Sequence, residues 1–124
     1  TYKLQGDTNE IDLEDEYQPL SVLESSVDLR KDFTPVKDQG EMGACTAFAL
    51  VGIFEYILKK NRQPDIDLSE QFVYYNARKA DGSSKVDVGS SMYGVVQTLM
   101  KDGVCLEHLF PYNPENLSQD SLHE

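Results

Sequence analysis

The chain has 124 residues, enough for one modest domain with a limited core. Its net charge is −11, from 22 acidic against 11 basic residues, which argues against nucleic acid or an anionic membrane surface as a partner. Hydrophobic content is 40%, no run approaches the ~18 apolar residues of a membrane span, and no secretory signal pattern is present.

Two cysteines, Cys45 and Cys105, exclude a disulfide-rich scaffold. Together with the two histidines, they make no zinc-site spacing, so neither a metal nor a cofactor is expected. The chain begins at Thr1 and stops in a polar tail, 116–124, and both ends read as those of a processed chain or fragment.

Residues 1–20 carry no sustained period and read as an acidic extension, with Tyr17-Gln18-Pro19-Leu20 as extended chain or turn. Residues 21–44 read as loop, punctuated by Pro35, Gly40 and Gly43. A first helix is predicted over about 45–60 and is apolar on nearly every side, the pattern of a buried helix. Lys59 and Lys60, then Asn61 and Pro64, supply its stop signals. Ser69 is the expected N-cap of a second helix that buries Phe72, Val73, Tyr74 and Tyr75 and ends near Lys79. Gly89-Ser90-Ser91 opens a third helix through Met92, Val95, Val96, Leu99 and Met100, closed by Gly103. Residues 104–112 are apolar, with Phe110 and Tyr112 to bury. The expected unit is small and mainly helical.

The stretch Gln39-Gly40-Glu41-Met42-Gly43-Ala44-Cys45 organises the rest. It delivers a cysteine to the first turn of the first helix, where unpaired N–H groups and the helix dipole favour an anion. A lone helical cysteine is more often a small buried hydrophobe. Here it follows two glycines, with a glutamine six residues upstream, and that arrangement resembles the papain-like cysteine peptidases.

The resemblance spans roughly 21–114. Ser26-Val27-Asp28-Leu29-Arg30 is similar to the family's mature start, and Thr34–Gly40 to the run carrying its oxyanion-hole glutamine. Leu68-Ser69-Glu70-Gln71 is similar to the family's next helix start, and Phe110-Pro111-Tyr112 to its aromatic-proline corner. The fold this implies is α+β overall. Residues 21–124 form its mainly α left-hand domain, built on a long buried central helix that starts at Cys45. The second, β-rich domain lies outside this sequence. Residues 1–20 would be an extension or the remnant of a pro-segment.

The resemblance assigns roles residue by residue. Cys45 is the nucleophile, and Gln39 donates to the oxyanion together with the Cys45 backbone N–H. Gly43 lets the loop bend so that the sulfur is exposed. Gly89 and Ser90 fall where the family binds extended substrate as a β-like ladder, Ser90 replacing a second glycine. Ser91 and Met92 would border the main specificity pocket, although Met92 reads equally well as core. Two departures stand out. Met42 takes the place of a cysteine whose partner is also missing around residues 80–90, so the usual disulfide is absent. Thr46 replaces the aromatic that follows the nucleophile, and Cys-Thr-Ala is similar to bacterial members.

The family's catalytic histidine and asparagine lie more than about a hundred residues beyond the cysteine. His108 and His123 match neither, and read as surface and tail residues. The expected partner is therefore a C-terminal chain or domain that supplies both, making a two-chain peptidase, synthesised as a zymogen, that cleaves peptide or protein substrates. Rival readings are a non-catalytic peptidase-like binding module, or a deamidase or acyltransferase on the same fold. The resemblance implies an extracytoplasmic location.

Overall fold

A computed structural model describes residues 22–61 and 63–115. Residues 1–20 and His123 lie outside them, and with them the extension and the tail. After a 3-10 turn at Arg30–Asp32, Pro35, Gly40 and Gly43 keep the chain irregular from Phe33 to Ala44. Helix α1, Cys45–Lys60, then begins on Ala44, whose methyl cannot accept from the first-turn N–H groups. Asn61 ends it as expected: its backbone N–H and its side-chain Nδ2 both donate to the Ile57 carbonyl, at 3.1 and 3.0 Å.

Helix α2, Glu70–Ala80, is capped by Ser69, whose Oγ accepts from the Phe72 N–H at 3.0 Å. The same hydroxyl donates to the Phe110 carbonyl at 2.6 Å, so one side chain starts a helix and holds the aromatic-proline corner. Helix α3, Met92–Lys101, is capped by Ser91 through the Gly94 N–H at 2.9 Å. It ends before Gly103, which takes the left-handed conformation (φ +75°) that favours glycine. A second 3-10 turn spans Glu107–Leu109, and an antiparallel bridge pairs Leu68 with Leu106.

The three helices share one core. Ala47, Val51 and Phe54 of α1 meet Val73, Tyr74 and Ala77 of α2 and Val95 and Leu99 of α3, with Met42, Ala44, Leu68 and Val104 closing the ends. The domain is mainly helical, with α1 at its centre. The apolar surround of α1 nevertheless resolves into two faces. Its core side is fully buried, while Cys45, Ala49, Ile53 and Ile57, spaced four apart, form an exposed stripe, with Ile53 47% and Ile57 41% accessible. The reason is that, among the described residues, α2 and α3 both pack on the other side.

A buried charge cluster joins the entry loop to this core. Glu55 on α1 is 2% exposed, and its Oε1 accepts from Lys37 Nζ at 3.0 Å and from the Leu68 N–H at 2.9 Å. Its Oε2 accepts from the Thr34 hydroxyl at 2.6 Å. Lys37 also reaches Glu70 and Asp67, each at 2.6 Å. Desolvation alone would lower the Lys37 pKa, but contacts with Asp67, Glu70 and Glu55 outweigh it and raise the ammonium above its ordinary value. Burial raises the Glu70 carboxyl, with Lys37 opposing. The ammonium thereby holds residues 34–37 against both α1 and the start of α2, and so sets where the Gln39 loop leaves the core.

Candidate active site

The loop before α1 is bent by Gly40, at φ +62°, whose N–H donates to Asp38 Oδ1 at 2.8 Å. The loop turns at Gly40 and Glu41 and bends again at Met42 and Gly43, where the sequence expects it. Gly43 also sits close to the opposite segment: a Cβ there would come within 3.1 Å of Asp87 Oδ1. Past the bend, the chain rises into α1 with Cys45 exposed at its first position, as the sequence predicts.

Gln39 lies on the same loop. Its Nε2 donates to the Met42 carbonyl at 2.9 Å, and that oxygen also accepts from the Ala44 N–H at 2.8 Å. A primary amide carries two donors, so anchoring one leaves the second for a ligand. From the other side, the Tyr112 hydroxyl donates to the Gln39 carbonyl, and Tyr112 packs edge-on against Phe48 with ring centres 4.9 Å apart. The Phe110-Pro111-Tyr112 corner is thus the back support of the Gln39 loop. Burial, together with nearby negative charge, pushes the Tyr112 phenol up to about 12, so it stays a donor across the working pH range.

The opposite wall is the segment before α3. Gly89 adopts φ +76°, a bend that a side chain would strain. Ser90 is held by Thr46, the residue after the nucleophile: Thr46 Oγ1 lies 2.7 Å from Ser90 Oγ and donates to the Ser90 carbonyl at 3.2 Å. Ser91 serves as the α3 cap, and Met92 is 47% exposed, which removes the core reading of that residue. The structure thus brings Gly43 and Thr46, on either side of Cys45, against residues 87–90, with Gln39 earlier on the same loop.

His108 is exposed on the Glu107–Leu109 turn and stays outside this arrangement; His123 lies outside the described residues. Cys105 is half-buried, and desolvation raises its thiol pKa, the opposite of what a nucleophile needs. No cluster of metal-ligating side chains occurs among the described residues, and none of their helices is long and apolar enough to cross a membrane. A hollow of 360 Å³ lies beside the Lys37–Glu55–Glu70 cluster, and Cys45 does not line it.

Sequence reasoning marked Cys45 and Gln39 but missed Asp87, Tyr74 and the role of Thr46. Asp87 accepts from the Gly43 N–H through both oxygens, at 3.0 and 3.1 Å, and from the Tyr74 hydroxyl. Nothing local distinguishes this aspartate from the other acids of an acidic chain.

The site thus consists of a cysteine presented at an uncapped helix start, an anchored amide on the preceding loop and a bent, glycine-containing wall opposite. Residues 23–123 match the model of the papain family cysteine proteases. The chain belongs to that family. It resembles xylellain, a cysteine protease from Xylella fastidiosa, with a TM-score of 0.62 and 38% identity over 65% of this chain and 32% of that one. It is 32% identical to an uncharacterized peptidase C1-like protein of Acanthamoeba polyphaga mimivirus, over 75% of this chain and 32% of the relative. It is 33% identical to cathepsin K of Gallus gallus, over 71% and 26% respectively. The chain thus spans a third or less of the length of these relatives.

Proposed function

We propose that this chain is the N-terminal, nucleophile-bearing chain of a two-chain papain-like peptidase, and that a second, β-rich domain supplies the catalytic histidine and asparagine. The observation that carries this reading is Cys45 exposed at the start of α1, with the Gln39 amide anchored on the loop before it. The exposed stripe Ala49–Ile53–Ile57 runs from Cys45 along the same face and supports a domain docking there.

In this mechanism Cys45 Sγ, as thiolate, attacks the scissile carbonyl carbon. A C–S bond forms and the carbonyl π pair moves to oxygen. The free Gln39 N–H and the Cys45 backbone N–H receive that charge. Collapse breaks the C–N bond while the imidazolium of the partner domain protonates the leaving amine. Water then attacks the thioester, the imidazole takes its proton, and the acid leaves with Cys45 restored.

Gly89 and Ser90 would hold an extended substrate by its backbone, with Ser91 and Met92 at the rim of the pocket that takes its side chain. Activation from a zymogen, with residues 1–20 as the remnant of its pro-segment, and work outside the cytosol belong to the same reading. The test is intact mass under denaturing conditions, followed by product analysis on peptides. A second polypeptide of domain size and new amino termini that vanish in Cys45→Ala support the proposal. Ammonia release without new termini would favour a deamidase. Biological activity unchanged in Cys45→Ala would favour a binding module.

A further inference from the structure

We infer that Asp87 is a positioning residue for the Cys45 site, a carboxylate clamp that fixes the nucleophile loop to the substrate-binding wall through Gly43 on one side and Tyr74 and Gly89 on the other. The inference rests on the peptidase reading above. Gly43 lies between Gln39 and Cys45, the residues that carry the two oxyanion donors. Its N–H is held by both Asp87 oxygens, at 3.0 and 3.1 Å. Asp87 Oδ1 also accepts from the Tyr74 hydroxyl, and the Tyr74 oxygen in turn accepts from the Gly89 N–H at 3.1 Å. One acceptor relay therefore spans the loop before α1, the side of α2, and the bend before α3.

The relay is built on rigid ground. Tyr74 is fully buried on α2, and burial, reinforced by the Asp87 charge, pushes its phenol up to about 12, so it donates at any working pH. Arg78, one turn along α2 and also fully buried, lies over the Tyr74 ring at 4.1 Å. Its Nη1 donates to the Ser84 and Val86 carbonyls at 2.8 and 3.0 Å, fixing the chain that leads into Asp87. Among the described residues this buried guanidinium meets no carboxylate and faces two loop carbonyls and an aromatic ring instead. Gly43 completes the fit, since any side chain there would press on the carboxylate at 3.1 Å.

The clamp also explains a missing feature. The disulfide usual in the family, which this sequence lacks, would join position 42 to the 80–90 region; the carboxylate joins residue 43 to residue 87. A charge-assisted hydrogen-bond pair does the tethering without a covalent bond.

The test uses the complete peptidase and a fluorogenic peptide, with active sites titrated by iodoacetamide so that kcat is counted per reactive thiol. Asp87→Asn keeps the shape but accepts through one oxygen only, so the three hydrogen bonds from its two donors cannot all be kept. Its kcat/KM is expected to fall about 10- to 100-fold, largely in kcat, as for a misplacement of about 1 Å at the reacting atoms. Tyr74→Phe, which frees Asp87 Oδ1 and the Gly89 N–H together, should lower kcat/KM by less than Asp87→Asn does, and the double variant should fall short of the product of the two effects, because they share one carboxylate. A purely structural role would lower the number of titratable thiols and leave kcat per thiol unchanged, and that result overturns the inference. So do additive effects, or an Asp87→Asn enzyme within twofold of wild type. If Asp87→Asn melts early, Tyr74→Phe decides, because it deletes one oxygen and keeps the ring under Arg78; an unchanged KM and kcat there overturns the clamp. A wild-type protein that cleaves no peptide overturns the peptidase reading, and the inference falls with it.

Discussion

The hydroxyl of Thr46 lies 2.7 Å from that of Ser90 and donates to the Ser90 carbonyl at 3.2 Å, so the residue that follows Cys45 holds the segment opposite it. An aromatic at this position would fill space against that segment; threonine bonds to it instead. Thr46→Val keeps the volume and removes the bonds. The expected result is a KM several-fold higher for extended peptides, from roughly 1 kcal/mol of lost hydrogen bonding, with kcat nearly unchanged. Steady-state kinetics on a long and a truncated peptide check it, the truncated one being the less affected.

Gln39→Ala tests the oxyanion donor. One side-chain donor typically contributes about 2.7–4 kcal/mol to the transition state, so kcat should fall about 10²- to 10³-fold with a small change in KM. Cys45→Ala should leave no turnover above the blank. A Gln39→Ala enzyme with a raised KM and intact kcat would move the residue from oxyanion stabilisation to substrate binding.

Lys37 neutralises carboxylates that cannot reach water. Lys37→Met would strand Glu55, with its side chain 1% exposed, and Glu70, at 3%, without their cation. Breaking a buried pair in this way costs roughly 3–5 kcal/mol. Urea denaturation should show a loss of that size, partly recovered in the triple variant Lys37→Met, Glu55→Gln, Glu70→Gln.

Glu107 provides a pH test. Burial raises its carboxyl to about 6 from 4.5, with the Glu70 and Asp67 charges adding and the Tyr112 N–H opposing, and its Oε2 has no partner among the described residues. Because the folded value is the higher one, the fold binds the proton more tightly than the unfolded chain does. Stability from this group therefore falls as pH rises from about 4.5 to about 6, and the penalty persists above that. Glu107→Gln keeps the Oε1 acceptor for the Tyr112 N–H at 2.7 Å and removes the charge. It should stabilise the protein by roughly 1–2 kcal/mol at about pH 7.5 and by little at about pH 4.5. Paired urea titrations at the two pH values would expose an equal effect at both, which would contradict the assignment.

Ser69→Ala removes both an N-cap and the bond to the Phe110 carbonyl. The expected loss is about 1–2 kcal/mol, read as a lower thermal midpoint, with a secondary drop in activity because the corner it holds supports Gln39 through Tyr112.

The helices were legible in the sequence because their causes are local. Ser69 and Ser91 cap the helices that follow them, Asn61 and Gly103 end theirs, and apolar spacing marks the core faces. Cys45 and Gln39 could be singled out for the same reason, since seven consecutive residues carry both. What the tertiary structure decided acts across distance along the chain. Asp87 meets Gly43 44 residues away, Tyr112 meets Gln39 73 residues away, and Lys37 meets Glu70 33 residues away. In one dimension such an aspartate is one acid among 22, and such a tyrosine one more residue to bury. Only the packing of α1, α2 and α3 determines which carboxylate faces a backbone N–H and which faces water. It also leaves one face of an all-round apolar α1 open beside Cys45, because periodicity reports what a residue is made of and not what stands opposite it.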